Sequence, residues 1–142
     1  MSDIETHTSF SKQVWEKFKS DQRPGPVQMM NLIRLRDRAD YPDGTHASGA
    51  EAYRRYSDMS APVFRELGGR IVWRGGFELT MVGPQQEAWD IAFIAEYPNI
   101  VSFLTMMKDA RYREAMSHRQ AGVLDSRLVR FAGAEPGDSF LG

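Results

Sequence analysis

Residues 68–97 read GGRIVWRGGFELTMVGPQQEAWDIAFIAEY, and the fold turns on how this stretch divides. A Gly-Gly pair opens it. An alternating apolar run follows, then GPQQ, then a second alternating run that ends at Tyr97. Two such runs around a Gly-Pro break mark a β-hairpin. The pattern predicts strands over 70–82 and 87–97, joined by a short turn at GPQQ. Between the glycine pairs sits Arg74, a guanidinium inside an apolar strand, which needs a reason to be there.

Upstream, VQMMNLIRLR (27–36) reads as a strand. Period two sets Val27, Met29, Asn31, Ile33 and Leu35 against Gln28, Met30, Leu32, Arg34 and Arg36. Next, Ser48 with Glu51 three residues on forms a capping box. Tyr53, Tyr56, Val63 and Leu67 continue a helical stripe until Gly68–Gly69 stop it. Pro62 inside this helix is expected to kink or split it. Downstream of the hairpin come helical patterns over 99–107 and 109–119, and a last strand, VLDSRLVRF (123–131). The order strand–helix–strand–strand–helix–strand is the ferredoxin-like α+β pattern, a four-stranded antiparallel sheet with its helices on one face. The helix-free face is then either wet or covered by a second subunit. Ahead of this domain, SFSKQVWEKFKSD carries a stripe of Phe10, Val14 and Phe18 beside Trp15, with Ser9 or Ser11 as cap. The expected division is a helical extension at 1–25, the ferredoxin-like domain at 26–133 and a tail at 134–142. The extension's stripe needs a cover, and a partner subunit is the expected one.

The 142 residues suit one domain with a real core. A net charge of −1 with scattered arginines gives no footprint for nucleic acid or anionic lipid. The absence of cysteine excludes thiol nucleophiles and zinc–thiolate sites and suits a reducing compartment. The opening MSDIETHTSF is polar and reads as no secretory signal, and no apolar run approaches the roughly 20 residues of a membrane span. The expectation is a cytoplasmic protein without nucleic-acid or membrane partners. His7, His46 and His118 have no ligand spacing, so no metal site is expected.

Strict alternation through residues 70–82 puts Ile71, Trp73, Phe77, Leu79 and Met81 under the helices, and Arg74, with Glu78, on the open face. Arg74 then reads as lining a chamber closed by a second sheet, where its fork of donors suits a carboxylate or enolate oxygen. Asp90, in the middle of the next strand, is a candidate base. An ion pair between Arg74 and Asp90 is the structural alternative. Asn31 interrupts an apolar face and could hold a ligand carbonyl, or bond backbone instead. His118 near a helix end is a candidate acid or base, or a surface residue facing the helix dipole. Trp73, Tyr97 and Tyr112 could wall an aromatic slot, or fill core.

The phrases MMNLIRLR, AYRRY, GGRIVWRGG, WDIAFIAEYPN and FLTMMKDARYREAMSHRQAGVLDSRL together resemble an uncharacterised bacterial family of the dimeric α+β barrel superfamily. That superfamily includes antibiotic-biosynthesis-type monooxygenases, muconolactone isomerase-like proteins and haem-handling enzymes. The resemblance implies a homodimer with two sheets face to face and a small organic ligand inside. It adds Arg119 as a recurring residue, with Asp125 or Asp109 as a structural partner. In haem-handling relatives a helix histidine can ligate iron, which would fall on His118. Where the family has Glu-Gly after the second strand, this chain has Val82–Gly83, so no acidic role carries over. The expected function is cofactor-free monooxygenase or isomerase chemistry by proton abstraction beside a carbonyl. Asp90 or His118 would be the base, with Arg74 and Asn31 on the enolate. The alternative is a non-catalytic dimeric ligand-binding or stress-related protein.

Overall fold

The computed structural model describes residues 5–142. Its elements are α1 (Lys12–Ser20), β1 (Val27–Leu35), α2 (Gly49–Glu66), β2 (Arg70–Gly75), β3 (Ile91–Tyr97), α3 (Ile100–Lys108), α4 (Ala110–Gly122) and β4 (Val123–Phe131). The strands form one antiparallel sheet in the order β2-β3-β1-β4. This is the ferredoxin-like α+β arrangement that the element order predicts.

Local chemistry fixes the helix ends. Ser48 and Glu51 form the expected capping box on α2, and Ser11 caps α1. Asn99 and Asp109 accept from the first turns of α3 and α4. Gly68, at φ +83°, ends α2 in a conformation open to glycine. Pro62 does not split the helix. The carbonyl deprived of its donor belongs to Asp58, on the exposed side, where water can satisfy it.

The core lies between the sheet and α2, α3 and α4. Val27, Met29, Ala95 and Tyr97 of the sheet pack against Val63, Ile100, Phe103, Met106 and Tyr112. Small residues bring α2 and α4 close to backbone contact: a Cβ on Gly122 would lie 2.7 Å from the Gly49 carbonyl oxygen. The extension packs in part on its own chain through Trp15 and Phe18, while Phe10 and Val14 of its stripe stay exposed. Phe10 and Phe18 meet Phe103, and the Arg130 guanidinium lies 5.1 Å from the Phe18 ring. Residues 132–142 add no helix or strand.

The hairpin departs from expectation in two ways. Its strands stop at Gly75 and begin again at Ile91, so the connection is a long excursion over 76–90, not a tight turn. Arg34 holds that excursion through the carbonyls of Ala88 and Gln86. Asp90 closes it, donating its N–H to Ile33 O at 2.8 Å and accepting from Leu35 N at 2.7 Å. The second departure is a β-bulge. Ile71 pairs with Ala95 and Trp73 with Ile94, so two steps along β2 match one along β3. An extra residue reverses the alternation beyond it.

That reversal corrects the expected faces. Arg74 pairs with Phe93, which pairs with Asn31, which pairs with Leu128. Residues directly opposite in a sheet share a face, so Arg74 lies on the helix side. Trp73 shares its row with Ile94, Met30 and Val129 on the open side. The open face therefore carries an apolar central row flanked by Gln28, Glu96, Arg70 and Arg127, with Trp73 50% exposed, Val129 44% and Phe131 48%.

Candidate functional site

Two adjoining cavities lie on the helix side of the sheet. The first encloses about 440 Å³. Met29, Asn31, Phe93 and Ala95 form its floor. Tyr56, Tyr97, Phe103, Tyr112, Met107, Met116 and Arg119 form its walls. Its roof is an N-terminal strap, residues 7–11, running on into α1. The second cavity, of about 740 Å³, opens toward β2 and contains Arg74 and Asp90. Tyr56, Phe93, Ala95, Tyr97 and Tyr112 line both.

The strap is fastened through its backbone. His7 N–H donates to Asp125 Oδ1 at 2.9 Å, and His7 O accepts from both the N–H and the hydroxyl of Ser126 at 2.8 Å. Arg119 Nη1 donates to Thr8 O at 3.0 Å. Burial raises the Asp125 pKa, but hydrogen bonds from His7 N–H, Arg127 and Ser126 N–H outweigh it and hold the carboxyl below its usual range.

Of the residues singled out from the sequence, Asn31, Tyr97, Tyr112 and Arg119 come together in the first cavity, and Arg74 and Asp90 with Tyr97 and Tyr112 in the second. Asn31 Nδ2 donates to Met29 O at 3.0 Å, which leaves its Oδ1 without a hydrogen bond from the described residues. Tyr97 and Tyr112 are buried, and desolvation pushes both phenols well above their ordinary pKa. The nearby charge of Arg119 pulls Tyr112 the other way, more weakly.

Several expected partnerships do not form. No ion pair joins Arg74 to Asp90 or Glu78 among the described residues. Both Arg74 and Asp90 are exposed at the cavity mouth. Arg119 pairs with neither expected aspartate: Asp125 binds Arg127 and Asp109 binds Arg111. His118 lines neither cavity. Its Nδ1 lies 2.6 Å from the Tyr41 hydroxyl, which also accepts from Arg55. Trp73 lies on the opposite face of the sheet, its indole drawn over Gly75, because of the bulge. No cluster of three metal-ligating side chains occurs among the described residues. No described helix is long and apolar enough to cross a membrane.

Tyr56 and the strap escaped the sequence reading. Tyr56 was visible on the α2 stripe three residues after Tyr53, but a stripe does not separate cavity wall from core. Its hydroxyl meets that of Tyr112 at 2.9 Å, at the junction of the two cavities.

A family model described as a domain of unknown function, DUF1330, matches residues 45–132. Two solved structures resemble the chain along nearly its whole length. The crystal structure of the RPA0582 protein, of unknown function, from Rhodopseudomonas palustris is 51% identical, with a TM-score of 0.90, over 93% of this chain and 100% of that one. The methylated RPA0582 protein is 50% identical, with a TM-score of 0.92, over 95% and 100%. SnoaB, a cofactor-independent oxygenase from Streptomyces nogalater, is far more distant, at 14% identity and a TM-score of 0.48 over 79% and 96%. No curated protein matches the chain.

Proposed function

The chain belongs to the DUF1330 family, a domain of unknown function, and on that footing we propose that it binds a small organic molecule between its sheet and its helices. The observation that carries this reading is the chamber of about 440 Å³, walled by aromatic and methionine side chains with a few convergent polar groups. Its size and lining are those of small-molecule sites. Asn31 offers an amide from the floor and Arg119 a cation from the wall. The proposal includes a homodimer, with the apolar open face of the sheet covered by a second copy. Trp73, Val129 and Phe131 are each about half exposed on that face, and clustered exposed apolar side chains mark interaction surfaces.

A metabolite screen by thermal shift tests the reading. Compounds that stabilise the parent should fail to stabilise Met116→Trp, whose side chain would fill the first cavity. Hits that protect the filled variant equally would overturn the assignment.

A catalytic reading rests on the second cavity, where Arg74 and Asp90 lie together without pairing. There Asp90 would take a proton from carbon beside a carbonyl, and Arg74 would hold the enolate oxygen, with no cofactor required. Asn31 would serve less directly, because Phe93 stands between it and Arg74 in the cross-strand row. His118 has no part in this scheme. Asp90→Asn and Arg74→Ala should then abolish turnover of a screened ligand while leaving its binding to the first cavity intact. Unchanged turnover would overturn the roles of Asp90 and Arg74, and a parent that turns over none of the screened ligands would leave only the non-catalytic, ligand-binding alternative.

A further inference from the structure

Arg119 is a half-buried cation on the wall of a mostly apolar chamber. Among the described residues it has no carboxylate within ion-pair distance. Within the described residues its guanidinium makes one hydrogen bond, from Nη1 to the Thr8 carbonyl of the strap. Nε and Nη2 make none with the described residues, and the side chain is only half-buried. A guanidinium stays charged at any ordinary pH, and its partial desolvation is unfavourable until an anion or further acceptors meet it. The described residues supply one neutral acceptor and leave most of the fork of donors unused.

The surfaces around this fork are flat and apolar. Phe93, Tyr97 and Phe103 present rings, and Met107 and Met116 present adaptable thioethers. Asn31, on the floor, has an Oδ1 that accepts no hydrogen bond from the described residues. An acceptor-rich head on a flat, unsaturated body matches this lining. A polyamine does not, because the two permanent charges on the lining, Arg119 and Arg127, are both positive.

We propose that the chamber takes an aromatic or conjugated monocarboxylic acid, its carboxylate on the free edge of Arg119 and its ring among Phe93, Tyr97 and Phe103. The inference rests on the small-molecule reading above and adds the ligand's charge and shape. The bond to Thr8 then orients the guanidinium, so the strap both roofs the site and aims its anchor.

Isothermal titration calorimetry with 2-naphthoate and its neutral isostere 2-naphthamide, on the parent, Arg119→Gln and Arg119→Lys, tests it. The expected result is at least tenfold tighter binding of naphthoate than of naphthamide by the parent. Arg119→Gln should erase that preference while keeping naphthamide affinity, and Arg119→Lys should restore part of it. Thermal melts establish that both variants fold, and the acid–amide comparison on the parent needs no variant. Equal binding of acid and amide by the parent would overturn the anionic class and leave the chamber reading standing. Naphthoate bound equally by the parent and Arg119→Gln would overturn the role of Arg119. Binding of neither probe, together with a metabolite screen without hits, would overturn both readings.

Discussion

The hydroxyl groups of Tyr56 on α2 and Tyr112 on α4 meet at 2.9 Å, where the two cavities adjoin. Each is the other's hydrogen-bond partner across the helix pair, and Tyr112 is buried. Removing one hydroxyl strands the other. Tyr56→Phe should therefore cost about 1–3 kcal/mol, while Tyr56→Phe with Tyr112→Phe should recover much of the loss. A double-mutant cycle by urea unfolding measures this. Strict additivity would mean the pair contributes nothing beyond its rings.

Burial raises the pKa of Tyr53, Tyr97 and Tyr112 above that of free tyrosine. A raised folded-state pKa contributes stability that is fully present below the unfolded value, near 10, and is lost as pH rises past it. The phenolate absorbance of these three should therefore appear only with unfolding, in a cooperative step above about pH 10. Circular dichroism recorded alongside the titration would expose a smooth, native-state ionisation if the burial is incomplete.

Asp125 works with the opposite sign. Its depressed folded-state pKa stabilises the strap above the ordinary carboxylate value, and that stability is lost as pH falls through the folded-state pKa. The strap should loosen below about pH 4 before the sheet melts. Asp125→Ala should loosen it at neutral pH, costing about 1.5–3 kcal/mol for the hydrogen bonds made to a charged group. Hydrogen exchange at the Ser126 amide, which donates to His7 O, reads the strap directly.

Gly122 permits the close approach of α2 and α4. Gly122→Ala would push a Cβ to 2.7 Å from the Gly49 carbonyl oxygen and 3.1 Å from the Ala52 Cβ. Backbone does not yield as a flexible side chain does, so a loss of about 1–3 kcal/mol is expected in chemical denaturation.

The proposed dimer makes its own prediction. Ile94 lies in the central row of the open face with Trp73, Met30 and Val129. Ile94→Glu should turn a dimer into a monomer in analytical ultracentrifugation without changing the far-ultraviolet spectrum. A parent that sediments as a monomer at micromolar concentration would end the dimer proposal.

The sequence revealed the element order well because its signals are local. Ser48 and Glu51 mark a helix start by themselves, and β4 matches its alternating segment residue for residue. The bulge left no such mark. Nothing in IVWR says that Val72 is supernumerary, so simple alternation carried Arg74 to the wrong face and Trp73 with it. Phe77, Leu79 and Met81 alternate as a strand would, but no neighbouring strand pairs with them, and Leu79 and Met81 are 65% and 81% exposed. Hydrophobic period reports what could be buried, not which hydrogen bonds exist. His118 had the right chemistry in the wrong place, held by Tyr41 from a loop 77 residues away in sequence. Tyr97, Tyr112, Asn31 and Arg119 were legible as polar or aromatic interruptions, but the chamber that unites them depends on a roof without periodicity.

That roof grips the frame through main-chain atoms: the His7 N–H and C=O and the Thr8 C=O. Main-chain contacts tolerate almost any residue type. The segment also precedes the span matched by the family model. Substitutions at positions 7–9 can therefore reshape the ceiling without weakening its fastening, whereas Phe10 packs on Phe103 and Ser11 caps α1. Selectivity and foldability sit on separate dials at these three positions, and a library randomised there could explore the first while leaving the second alone.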